Sequence, residues 1–217
     1  MTKSTRARCT VCLRPADFCL CALIPTLPSS THILVIQHPQ ERRHALNTGR
    51  LLVAGLEHAE LLIAEQLSLD TPAHEQISDP AWCTELLFPG ETARLPAPAE
   101  VGDERPRRLV LIDGTWRKAR KILMLNPVLQ SLPRICLPGG LVSRYRLRHT
   151  RVPDALSTIE AAVQALQLIE PDRDYSPLLR PFEALIDGQI QAMGAECYER
   201  NHGSRISDAT PTKPPLA

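Results

Sequence analysis

Short runs of aliphatic and β-branched residues alternate along this chain with segments of helical spacing. That alternation restricts the fold to an α/β layer with a mainly parallel sheet. The run His32-Ile33-Leu34-Val35-Ile36-Gln37 is short and apolar throughout, as expected of a strand covered on both faces. Residues 42–54 read as a helix ended by Gly55, and 59–64 as a second strand. Leu86-Leu87-Phe88 is a third, stopped by Pro89-Gly90, and Arg108-Leu109-Val110-Leu111-Ile112 is the clearest of all. A helix over 116–125 follows, stopped near Pro127; Arg134-Ile135-Cys136-Leu137 forms a further strand, closed by Pro138-Gly139-Gly140. Helices are expected over 153–168 and 177–200. The polar stretch 66–84 has no clear period, and 92–106, with three prolines, reads as a surface loop. A chain of 217 residues with 43% hydrophobic content can bury one sizeable core.

The ends differ from the middle. Cys9, Cys12, Cys19 and Cys21 place four thiols within thirteen residues. Four thiolates supply the tetrahedron that zinc requires, and a set with no open position reads as a structural Zn2+ site. The chain thus divides into a zinc-binding head (1–25), a main domain (26–200) and a tail (201–217) rich in Ser, Thr, Pro and Lys, expected to be disordered. No apolar run reaches the roughly 18 residues of a membrane span. The basic N-terminal residues are not followed by the apolar stretch of a secretory signal. Seven cysteines without such a signal point to a reducing compartment, hence a cytoplasmic protein. Cys83, Cys136 and Cys197 stand alone and read as small buried hydrophobes.

The formal charge of +1 conceals a strong asymmetry. From Arg105 to Arg151 there are twelve Lys and Arg against one acid, Asp113, a net of +11; the rest of the chain holds thirteen bases and twenty-three acids, a net of −10. Such a window suits a polyanionic partner, unless acids from elsewhere neutralise it in space. Asp113 follows a buried strand directly and precedes a helix, where open α/β sheets bind ligands. Gly114 permits a tight turn, Thr115 can cap the helix and Trp116 offers an apolar face. A carboxylate at that point can accept a proton from a substrate drawn in by the surrounding cations.

With these residues the chain resembles the DTW-domain family, named for its Asp-x-Thr-Trp motif. Beside Asp113-Gly114-Thr115-Trp116 and the cysteine head stand His38-Pro39-Gln40-Glu41, Asn47-Thr48-Gly49-Arg50, Phe88-Pro89-Gly90, Tyr145-Arg146-Leu147-Arg148 and Leu156-Ser157-Thr158-Ile159-Glu160-Ala161. The resemblance covers roughly residues 8–195. It implies a SPOUT-like fold with a C-terminal knot, and a tRNA-uridine aminocarboxypropyltransferase activity. In such enzymes the 3-amino-3-carboxypropyl arm of S-adenosyl-L-methionine (SAM) moves to N3 of a tRNA uridine, leaving methylthioadenosine.

Under that resemblance Asp113 is the catalytic residue, accepting or orienting the N3 proton. The SAM site is expected at Phe88, Pro89, Gly90, Asp113, Thr115, Trp116, Leu137, Pro138, Gly139, Ser157 and Thr158, with helix N-termini near 116 and 157 facing the donor's carboxylate. RNA contacts are expected from Arg42, Arg43, Arg117, Lys118, Lys121, Arg144, Tyr145, Arg146 and Arg148. Ser157-x-x-Glu160 is also a capping box, and either role, or both, fits it. Two alternatives stay open: a SAM-dependent RNA methyltransferase of the same fold, and a non-catalytic zinc-containing RNA-binding module. The oligomeric state, monomer or homodimer, is open, as is the identity of the uridine.

Overall fold

The computed structural model describes residues 7–147 and 155–202. Five parallel strands form one sheet in the order β2-β1-β4-β3-β5: β1 (Thr31–Gln37), β2 (Ala59–Ile63), β3 (Cys83–Leu87), β4 (Arg107–Asp113) and β5 (Arg134–Ile135). The helices are α1 (Thr48–Ala54), α2 (Pro72–Ser78), α3 (Trp116–Leu125), α4 (Pro127–Gln130), α5 (Thr158–Ile169), α6 (Leu179–Met193) and α7 (Ala195–His202). None of the helices among the described residues is long and apolar enough to cross a membrane.

Alternate residues of the two central strands feed two cores. Ile33, Val35, Leu109 and Leu111 pack with α1, α5 and α6; Leu34, Ile36 and Val110 pack with α2, α3 and α4. Both strands are therefore apolar almost end to end, which is why they are the easiest to read in the sequence. Within α3, Ala119, Ile122 and Leu123 face the sheet at helical spacing while the basic side chains point outward.

After β1 the chain moves to one side of the sheet, to β2; after β4 it moves to the other, to β5. The carboxyl ends of β1 and β4 thus flank the crevice where open α/β sheets bind ligands. Gln37 and Asp113 are the register partners that end these two strands.

Several boundaries differ from the sequence reading. Residues 42–47 are turns, and α1 begins only at Thr48, because the Asn47 side chain accepts the Arg50 N–H at 3.1 Å and caps the helix there. Thr71 caps α2 within the stretch that showed no period, with Pro72 at its first position. β3 begins at Cys83, ahead of the apolar triplet, and β5 stops at Ile135. The Ser157 cap starts α5 at Thr158. The expected single helix over 177–200 is broken at Gly194, whose φ of 85° suits glycine, into α6 and α7. Residues 148–154 and 203–217, including Arg148 and most of the expected disordered tail, lie outside the described residues. The chain path after Leu147 therefore leaves the expected knot as an expectation.

Candidate active site

The Asp113 carboxylate is held from two sides. Gln37 Nε2 donates to its Oδ2 at 2.7 Å and the Thr158 hydroxyl donates to Oδ1. The same Gln37 amide donates its other hydrogen to Asn47 Oδ1 at 3.0 Å, so the cap of α1 and the site share one network. The Asp113 carbonyl accepts the His38 N–H at 3.0 Å, which ties the turns after β1 and β4 together. Asp113 is 8% exposed and Gln37 fully buried; Gln37 Oε1 has no hydrogen-bond partner among the described residues.

Gly49, in the first turn of α1, lies against this carboxylate. A Cβ there would stand 2.9 Å from Asp113 Oδ2, 3.1 Å from its Cγ and 3.3 Å from Val35. Only glycine allows α1 to approach so closely. Sequence reasoning quoted Gly49 and Asn47 as motif residues but gave neither a role, and it missed Gln37, which reads as the polar end of an apolar strand. The one available signal was that Gln37 and Asp113 occupy equivalent positions at the ends of the two most apolar runs.

An apolar pocket of about 370 Å³ opens beside Asp113 at the carboxyl ends of β3, β4 and β5. That volume falls within the roughly 300–1,000 Å³ of small-ligand sites. Three strand-end turns build it. Phe88 and Pro89 follow β3, Gly114 and Trp116 follow β4, and Leu137, Pro138 and Gly139 follow β5. Thr158 at the start of α5 closes it. Phe88 and Trp116 meet edge to face at 5.8 Å. Gly140, at φ 83°, supplies the turn that returns the third segment.

The other residues expected there lie elsewhere. Gly90 faces Arg134, whose guanidinium nitrogen would be 2.8 Å from a Cβ. Thr115 caps α3 by accepting the Lys118 N–H at 3.4 Å. Ser157 is buried in a complete capping box with Glu160. That box also organises the segment before it: Glu160 accepts the Ser143 hydroxyl at 2.9 Å and the Arg144 N–H at 2.6 Å. Leu111, Ile112, Cys136, Leu141 and Leu156 line the pocket too and were not anticipated.

The basic window is largely paired with acids from outside it. Arg105 meets Asp103, Arg107 meets Glu85, Lys118 meets Glu41 at 2.7 Å and Lys121 meets Glu65 at 2.9 Å. Arg144 meets Glu183 and Arg146 meets Asp187, both on α6. Tyr145 packs edge to face on Phe182 at 5.5 Å. Arg108 is buried, stacked on Trp82 and bonded to the Gln76 carbonyl. Arg117 is exposed. The neutralising reading of the charge count thus describes much of this surface. Exposed pairs of this kind contribute only about 0–1 kcal/mol, so a phosphate can compete for the same arginines.

The four thiols of the head meet. Their sulfurs all lie within 4.8 Å of one another, with Cys9 and Cys21 at 3.4 Å and Cys12 and Cys19 at 3.8 Å. Tetrahedral thiolate zinc at about 2.3 Å per bond requires sulfur separations of about 3.8 Å, so the cluster fits a metal ion. Backbone amides of Cys12 and Val11 pull the Cys9 thiol down to about 6, while burial and the neighbouring thiols push Cys21 up to about 12.

Comparison with known proteins places the chain in a family. The DTW domain profile matches residues 6–190. The chain is 32% identical over 192 residues to tRNA-uridine aminocarboxypropyltransferase 2 of Macaca fascicularis, covering 86% of this chain and 64% of that relative. It is 32% identical over 195 residues to the Drosophila melanogaster protein of the same name, covering 85% and 76%. It is 29% identical over 197 residues to tRNA-uridine aminocarboxypropyltransferase A of Arabidopsis thaliana, covering 77% and 74%. This chain therefore spans less than two thirds of the macaque relative's length. No solved structure matches it.

Proposed function

This chain belongs to the DTW domain family, and on that premise we propose that it is a tRNA-uridine aminocarboxypropyltransferase. It moves the 3-amino-3-carboxypropyl arm of SAM to N3 of a tRNA uridine. The observation that carries the reading is the pairing of a buried, doubly hydrogen-bonded carboxylate with a mostly apolar pocket, side by side at one strand end.

SAM occupies that pocket, its adenine among Phe88, Pro89, Leu137 and Pro138 and its arm toward Asp113. Uridine N3 attacks the γ-carbon of the arm. The carbon–sulfur bond breaks and its electron pair stays on sulfur, releasing neutral methylthioadenosine. The N3 proton passes to the Asp113 carboxylate and then to solvent. Gln37 and Thr158 orient the carboxylate for this transfer, and Gly49 leaves room for it. The metal ion held by Cys9, Cys12, Cys19 and Cys21 is structural zinc and fixes the head.

Asp113→Asn is the direct test, because asparagine retains the hydrogen bonds. Its carbonyl can accept from Gln37 and its amide can donate to the Thr158 hydroxyl, so the fold and SAM affinity should persist. Turnover on unmodified tRNA should fall by about 10²–10⁴-fold, the usual contribution of a positioned base. Mass spectrometry of nucleoside and by-product reads the result. Full turnover in the variant would remove the proton-accepting role. S-adenosylhomocysteine in place of methylthioadenosine would replace arm transfer by methylation.

A further inference from the structure

A second cavity, of about 660 Å³, lies where the cysteine head, the turns at 42–47 and the start of α1 meet α6. Arg8, Arg14, Arg42, Arg43, Arg50 and His44 line it, and no acid does. This is the reverse of the basic window, where acids from outside neutralise the cations. The side chains of Arg42, Arg43 and Arg50 have no hydrogen-bonded or ion-paired partner among the described residues, and Arg50 Nε is buried without one. Arg8, Arg42 and Arg43 are exposed and meet no carboxylate in the cleft, so an incoming polyanion finds cations that no acid has already engaged.

The cleft is also wired to the candidate site. Asn47 lines it and accepts from Gln37, Gln37 donates to Asp113, and Thr158 donates to Asp113 from the wall of the apolar pocket. One hydrogen-bond chain therefore has an end in each cavity, with the carboxylate between. The head forms one wall: Arg14 donates to the Phe18 carbonyl at 2.8 Å within the head and to the Ala45 carbonyl at 3.2 Å across the cleft. Cys12, one of the four clustered thiols, is part of that wall.

Resting on the tRNA reading above, we propose that this cleft holds the phosphodiester backbone of the RNA substrate, on the α1 side of Asp113, while SAM lies on the Thr158 side. The metal-held head then serves catalysis indirectly, as the outer wall of the RNA groove. Arginine forks suit such phosphates by geometry as well as charge.

The test measures binding of unmodified tRNA by fluorescence anisotropy across a salt series, with SAM affinity followed by calorimetry. Two unrelated changes are made. Arg42→Glu/Arg43→Glu reverses two cations. Gly188→Glu brings an acid in from α6, where a Cβ meets nothing within 4 Å, and is compared with Gly188→Gln. Each lost phosphate contact should flatten the slope of log affinity against log salt by about 0.7–0.9, so the double variant should lose about 1.4–1.8 of slope. It should bind at least tenfold more weakly at moderate salt, and Gly188→Glu should bind more weakly than Gly188→Gln, all with wild-type SAM affinity. Wild-type tRNA affinity and slope in both acidic variants would overturn the cleft and leave the transferase reading standing. Weakening that runs parallel to lost SAM affinity would overturn it too, as a fault of folding. If the wild-type chain binds no tRNA, the transferase reading itself fails.

Discussion

Replacing Gly49 by alanine sets two effects against each other at one atom. In a helix alanine is favoured over glycine by about 1 kcal/mol. The new methyl carbon would stand 2.9 Å from Asp113 Oδ2, where ordinary contact begins near 3.4 Å. Either α1 or the carboxylate must shift by about half an ångström. A shift of α1 costs about 1–3 kcal/mol as overpacking; a shift of the carboxylate instead costs about 1.5–3 kcal/mol as one lost hydrogen bond to a charged group. Set against the helical gain, the net destabilisation is about 0–2 kcal/mol. That lowers the melting temperature by at most about 8 °C for a domain of this size, so the variant stays folded at assay temperature. Activity has no such compensation. A misplacement approaching 1 Å costs about a hundredfold in rate, so the half-ångström shift should cost between about tenfold and a hundredfold in turnover. Thermal unfolding followed by calorimetry, and nucleoside analysis of modified tRNA, give the two numbers. The reasoning is refuted if Gly49→Ala turns over like the wild type, or if turnover falls only as far as the folded fraction does.

Two further outcomes test parts of the molecule away from the carboxylate. Cys12→Ser should abolish stoichiometric zinc in the purified chain and expose residues 7–25 to limited proteolysis, while the far-ultraviolet dichroism of the sheet persists; a zinc-free wild-type chain with a protease-resistant head would contradict this. Glu170 anchors the end of α5 to the start of β1, accepting the Thr31 N–H at 2.8 Å and the Tyr175 hydroxyl at 2.6 Å. Burial raises its carboxyl, but these hydrogen bonds outweigh burial and hold it below its ordinary 4.5. Its contribution is therefore complete above 4.5 and disappears as pH falls through the lower folded value. Glu170→Gln should cost about 1.5–3 kcal/mol near neutral pH, and the gap in urea midpoints should close on acidification below 4.5; a gap constant with pH would refute the assignment.

How much of this was legible in the sequence depended on whether the determining contact was local. β4 and α3 could be read almost to the residue, because a continuous apolar run, a Thr115 cap and the following Pro127 are all neighbours in the chain. The four thiols were legible for the same reason. The start of α1 was not, since the choice between turn and helix over 42–47 is made by Asn47, whose side chain is engaged by Gln37 on β1. The fit of Gly49 against Asp113 joins residues 64 positions apart, and nothing in either segment alone specifies it. Gly194 was a visible break signal that the apolar periodicity of 177–200 overrode.

The basic window shows the same limit in its electrostatic form. A count along the chain finds twelve cations beside one acid, but charge acts through space. Glu85 sits between Arg94 and Arg107, Glu65 faces Lys121, and α6 presents Glu183 and Asp187 to Arg144 and Arg146. Those acids supply much of the negative balance counted in the rest of the chain, folded back onto the window. What survives folding is smaller and is split: Arg117 and Arg120 stay exposed on α3, and Arg42, Arg43 and Arg50 form a second group in a segment whose nearest acid, Glu41, is taken up by Lys118. The ion pair between Glu41 and Lys118 thus does two things at once. It withdraws a cation from the window and the nearest anion from Arg42 and Arg43, and so leaves the cleft positive beside Asn47, whose side chain is linked through Gln37 to Asp113.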